Sequence, residues 1–195
     1  YQKRAIFVIE WLRSITLKTN RKLMVRLVKG AYWDSEIKNA QRDGEPHFPV
    51  FTRKSSTDVS YHACANKLLE YRDTIYPQFA THNGYTASTI LELAGDDKEG
   101  FEFQCLHGMG DSLYDQIVSE QQIQCRIYAP VGVHEDLLAY LVRRLLENGA
   151  NTSFIHQLNK KNTDEKTLLQ SPLKRLKKNN YNKIVKPKNI FPDRK

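Results

Sequence analysis

The sequence predicts an α/β fold, a stretch of a (β/α)8 TIM-like barrel, and three observations carry that expectation. Short apolar runs alternate with segments of helical period along the first 150 residues. The runs are apolar at successive positions rather than every second one, which suits parallel strands covered on both faces. Polar residues recur just after each run, at the edge where barrels of this kind keep their chemistry.

In order along the chain, residues 2–18 set Ala5, Ile6, Val8, Ile9, Leu12, Ile15 and Leu17 at helical spacing. Lys22 to Val28 reads as a strand and Ser35 to Gln41 as a helix. Phe48 to Arg53 reads as a second strand, with Pro49 near its start, where proline is tolerated. Thr57-Asp58 reads as the cap of a helix running through Ala63, Ala65, Leu68 and Leu69. Strands follow at Gln78 to His82, Phe101 to Leu106 and Arg126 to Pro130, with helices at Thr86 to Leu93 and Ser112 to Ser119. The strongest helix runs from His134 to Asn148, with Gly149 placed to cap it.

An alternating βα order leaves an open doubly wound sheet or a closed barrel. A whole barrel needs roughly 250 residues. About five βα units fit here, and they are expected to be the last five of eight, cut from a longer protein. Residues 1–156 form the barrel part on this reading. Residues 157–195, rich in Lys, Asn and Pro, form a basic interdomain linker with one weak helix.

The net charge of +8 divides unevenly. Residues 151–195 hold 12 Lys/Arg against 3 Asp/Glu, and residues 1–150 hold 18 against 19. The basicity therefore belongs to the tail, which argues against a nucleic-acid-binding body. Cys64, Cys105 and Cys125 are widely spaced and lie in apolar runs, so buried thiols are expected rather than a disulfide framework or a zinc knuckle. No run is long and apolar enough to span a bilayer.

The strand ends offer Lys29 and Tyr32; Arg53 and Lys54; Thr81, His82 and Asn83; Gln104, Cys105, Leu106 and His107; and Tyr128. Each alone reads as a loop or cap residue. Five in phase point to a ligand. Gly30 and Ala31 beside Lys29 would let backbone approach that ligand closely. Arg53 and Lys54, with Thr52 and Thr57 nearby, suit a phosphate. His82 and His107 lack the spacing and the carboxylate partner of a metal centre, so no metal is expected. On the last helix Arg143 and Arg144 lie within a turn of Glu147, on a helix apolar nearly all round. One carboxylate cannot neutralise both, and a small carboxylate substrate would supply the second partner.

These runs resemble the proline dehydrogenase family. The residues that carry the likeness are Arg26 to Trp33, Phe79 to Asn83, Phe103 to Gly110, Tyr128 to Gly132 and Leu141 to Phe154. The likeness covers about residues 1–156 and is strongest to the bifunctional members, in which an aldehyde dehydrogenase follows. It implies a distorted eightfold barrel that binds FAD noncovalently, oxidises L-proline to 1-pyrroline-5-carboxylate and passes electrons to membrane quinone.

By motif, Arg26, Lys29, Gly30, Ala31 and Trp33 are expected against the flavin. Thr52, Arg53, Lys54, Thr57, Thr81, His82, Asn83, Gln104, Cys105 and Leu106 are expected along FAD, with Ser153 and Phe154 near its adenine. Arg143 and Arg144 are expected to grip the proline carboxylate, oriented by Glu147, with Tyr32 and Tyr128 walling the pocket. The resemblance also implies a cytoplasmic homo-oligomer that meets the inner membrane peripherally when reduced. DNA binding would come only through an N-terminal domain not contained here. Family strands that add an acidic residue and a lysine to the pocket are missing, so the chain alone is expected to hold FAD poorly and be inactive. The competing readings are a metal-dependent barrel hydrolase using His82 and His107, and a binding module acting through the basic tail.

Overall fold

A computed structural model describes residues 1–30, 32–149, 169–178 and 184–191, apart from the side chains of 147–149 and 178. Helix α1 (Arg4–Thr19) leads into β1 (Leu23–Val28), α2 (Trp33–Asp43), α3 (Lys54–Glu70), β2 (Ile75–Ala80) and α4 (Gly84–Ala94). Then come β3 (Glu102–Leu106), α5 (Asp111–Gln121), β4 (Cys125–Tyr128) and α6 (His134–Gly149). In the tail, α7 (Pro172–Lys178) and a 3-10 turn (Pro187–Asn189) are formed. Helix α2 ends on Gly44 at φ 65°, a left-handed position that suits glycine. Helix α4 starts under a side-chain cap, with the Asn83 carboxamide accepting from Thr86 N–H at 3.0 Å.

The four strands among the described residues are all parallel and lie in the order β1-β2-β3-β4. A doubly wound sheet reverses its strand order at a switch point, whereas a barrel adds each strand beside the last. The described strands show no reversal, so the order favours the barrel.

The expected strand at Phe48 to Arg53 is a loop, and four βα units are present among the described residues rather than five. Its backbone carbonyls explain why. Gln2 Nε2 donates to Phe48 O at 3.0 Å and Val50 O at 2.9 Å, and the Trp33 indole donates to Phe51 O at 2.9 Å. Side chains take up the groups that a ladder would have used. Helix α3 is capped at Arg53 rather than at Thr57-Asp58.

One face of the sheet packs against the helices. Ile75, Phe79, Phe103 and Cys105 are buried there with Leu68, Ile90, Tyr114 and Ile117, and Val25 and Leu27 lie against them. By strand alternation the other face carries Arg26, Gln78, Glu102, Gln104, Arg126 and Tyr128. β3 is buried throughout, as expected of a covered parallel strand, whereas β1 alternates because its second face is exposed.

The expected linker is partly docked. Helix α7 packs on α3, and the 3-10 turn packs on α2, with Pro172 and Pro187 buried and Lys188 N–H donating to Glu45 O at 3.2 Å.

Candidate active site

The polar face of the sheet gathers into one network. Arg26 donates through Nε to Gln104 Oε1 at 2.9 Å and through NH2 to the Tyr128 hydroxyl at 3.2 Å. Its guanidinium carbon also lies 5.2 Å from the centre of the Tyr128 ring. Gln104 and Gln78 each donate at 2.8 Å to Glu102, which Arg126 clamps with two bonds of 2.7 and 2.8 Å. The Arg126 bonds hold the Glu102 carboxyl below its usual pKa against the opposing effect of burial, so it is ionised.

Helix α6 brings the arginine pair to this network. Arg143 lies over the Tyr32 ring at 4.8 Å, and Arg144 over Tyr140 at 5.3 Å. Among the described residues, the buried Arg143 Nε has no hydrogen-bond partner. Burial, then the charges of Arg144 and Arg26, hold the His82 imidazole below its usual pKa, so it is neutral at pH 7. Its Nε2 accepts from Leu106 N–H at 3.2 Å, which ties the β2–α4 turn to β3. Burial and the nearby Tyr140 raise the Tyr128 phenol, so it stays protonated and able to donate.

Lys29, Lys54, Asp58 and Thr86 form a second cluster. Lys29 Nζ reaches Asp58 at 2.7 Å and Thr86 at 3.0 Å, and Lys54 Nζ reaches the other Asp58 oxygen at 2.9 Å. Burial alone would raise the Asp58 carboxyl, but the two ammonium groups outweigh it and hold the pKa low.

The remaining expected residues fall into three groups. Thr81, His82 and Asn83 form the turn after β2, and Leu106 is buried on the polar face opposite Tyr128. Thr52 and Arg53 line a hollow with His47, Phe48, Ile184 and Lys186, and Thr57 lies in the first turn of α3. Gly30 borders open space, so nothing within the described chain requires a glycine there. Cys105 departs from its expected place: its side chain sits on the helix-facing side, 3.7 Å from the Cys125 sulfur. Ala31, Ser153 and Phe154 lie outside the described residues, as does the Glu147 side chain.

Asp58, Gln78, Thr86, Glu102 and Arg126 were not singled out as site residues from the sequence. A glutamate two residues before Gln104, in the run from Phe101 to Leu106, was the available signal for Glu102.

The family model described as proline dehydrogenase matches residues 1–157. The chain belongs to the proline dehydrogenase family. It is 59% identical over 165 residues to the bifunctional protein PutA of Escherichia coli, covering 81% of this chain and 12% of that one. The Bradyrhizobium japonicum proline utilization A (PutA) D779W mutant superposes at TM-score 0.90 with 52% identity, covering 99% of this chain and 20% of that chain. PutA from Bdellovibrio bacteriovorus, inactivated by N-propargylglycine, superposes at 0.83 with 38% identity, over 90% and 18% of the two chains. The chain thus spans about an eighth to a fifth of these relatives. The likeness places its four strands in the TIM-like barrel of the proline dehydrogenase domain.

Family membership implies a flavin cofactor, and the residues present fit one. An arginine has five N–H donors, and Arg26 commits two of them to Gln104 and Tyr128. The rest suit the electron-rich edge of a flavin ring. The buried Nε of Arg143 is a donor that meets no acceptor among the described residues, and a substrate carboxylate would suit it.

Proposed function

We propose that this chain supplies one wall of the site of an FAD-dependent proline dehydrogenase that oxidises L-proline to 1-pyrroline-5-carboxylate. The observation that carries the reading is the gathering of Arg143 over Tyr32, Arg144 over Tyr140 and Arg26 against Tyr128, with the buried Arg143 Nε meeting no acceptor among the described residues. Arg143 and Arg144 hold the substrate carboxylate at two points, which fixes the ring carbon against the flavin. Tyr32 and Tyr128 wall the pocket and keep water out. Arg26, Lys29 and Lys54 supply positive charge along the cofactor, with Asp58 fixing the two lysines. When bound, the flavin accepts hydride from the substrate.

The finer parts of the proposal rest on the sequence resemblance to the bifunctional members of the family. The whole protein is bifunctional, carries electrons to membrane quinone, assembles as a homo-oligomer and sits in the cytoplasm with peripheral contact to the inner membrane. Two other readings lack support. His82 turns its Nε2 to a backbone N–H, and the described segments of the tail pack on α2 and α3.

The test is proline:dye reductase activity of the whole protein with Arg143→Met. Losing one charge-assisted carboxylate contact, worth roughly 1.5–3 kcal/mol, raises KM for proline about tenfold to a hundredfold. An unchanged KM removes the clamp.

A further inference from the structure

Glu102 opens β3 on the polar face and is 1% exposed, yet nothing in the reading above assigns it a task. Its Oε1 accepts from Gln78, Gln104 and Arg126, and its Oε2 accepts from Arg126 NH2 at 2.8 Å. Gln104 stands between this carboxylate and Arg26, donating to the first and accepting from the second.

A carboxylate only accepts and a guanidinium only donates. An amide between them has one orientation that makes both bonds. Turned over, it would set its oxygen against the carboxylate and its NH2 against the arginine. Glu102 therefore decides which way Gln104 faces. Gln104 then anchors the Nε side of Arg26, while the Tyr128 hydroxyl anchors the NH2 side. Two anchors on a rigid planar fork define its plane. Arg126, partly exposed on β4, balances the charge of Glu102.

We propose that Glu102 is a positioning residue: through the Gln104 amide it holds the Arg26 guanidinium against the flavin, and so raises the reduction potential of the cofactor. This rests on the flavin reading above. Arg26 stabilises negative charge on the reduced ring only while its plane is held. Gln78 and Arg126 in turn hold Glu102, so the relay runs from the start of β3, through Gln104, to Arg26 on β1.

The experiment is a potentiometric titration of the flavin in the whole protein. Glu102→Gln combined with Arg126→Gln removes one negative and one positive charge, so the net charge is unchanged. A glutamine at 102 presents both donors and an acceptor, and no longer dictates the facing of Gln104. The expected result is an about tenfold loss in preference for the reduced over the oxidised flavin, or about 30 mV more negative for a two-electron couple. Gln104→Met gives the same shift, and adding it to the pair adds nothing, as expected of groups acting in series. If the paired variant fails to fold, Gln78→Met, which removes one donor from Glu102, takes its place: a shift in the same direction is expected, and an unchanged potential overturns the role.

Flavin bound with an unchanged potential overturns the positioning role, even if stability falls. A shift to more positive potential also overturns it. Wild-type protein that retains no flavin overturns the cofactor reading itself, and with it this one.

Discussion

The two faces of this sheet use the same strands for opposite ends. On the helix side, Phe79, Phe101, Phe103 and Tyr114 stack edge to face or tilted, with ring centres 5.7–6.2 Å apart. On the other side the same strands carry Arg26, Gln78, Glu102, Gln104 and Arg126 in one hydrogen-bonded net. Packing sets stability on the first face, and orientation sets chemistry on the second. Because side chains alternate, a one-residue slip of β3 would exchange the two sets.

Substitutions on either face test that division, beginning with the largest effect. Phe103→Ala, at the centre of the aromatic stack, is expected to destabilise by about 3–5 kcal/mol, read from urea unfolding of the whole protein. Its flavin potential, in the fraction that stays folded, is expected to hold. Next is Asp58→Asn, which leaves Lys29 and Lys54 without their shared anion and is expected to lose roughly 1.5–3 kcal/mol in the same assay. A loss below measurement would show that solvent already screens the two lysines.

A pH series sharpens the same point. Asp58 and Glu102 both have folded pKa values below the ordinary carboxylate range. Their stabilisation is complete above their unfolded pKa, about 4, and is lost as pH falls through the lower folded values. Wild type should therefore lose stability steeply below about pH 4, and Asp58→Asn should flatten that limb. Equal slopes in the two proteins would contradict the assignment. The smallest effect is expected from Arg42→Gln, whose pairing with Asp43 lies on the exposed surface. Its melting temperature should match wild type.

Much of this was legible in the sequence. Helical period placed all six helices of the body, and the apolar runs placed four of the strands to within a few residues. The false strand at Phe48 to Arg53 shows the limit. Apolar residues there do face inward, with Phe48 buried against Ile37 and Ala40, but Gln2 and Trp33 claim the backbone. Those partners lie 46 and 18 positions away in the chain, beyond any local pattern. Asp58 was hidden for a related reason. Beside Thr57 it looked like a cap, and only the fold brings Lys29 across to it. The arginine pair was readable because a charged doublet on an apolar helix is anomalous in itself.

The sequential strand order also bears on how the sheet assembles. β2 and β3 meet across 24 residues (Gln78 to Glu102) and β3 and β4 across 22 (Phe103 to Cys125), whereas β1 and β2 meet across 52 (Leu23 to Ile75). Closing the longer loop costs roughly 0.7 kcal/mol more in chain entropy. The three later strands are thus set to zip first and β1 to join them afterwards, carrying Arg26 with it. Amide hydrogens of β3 should then gain exchange protection before those of β1 during refolding, so the polar net would close only in the last step.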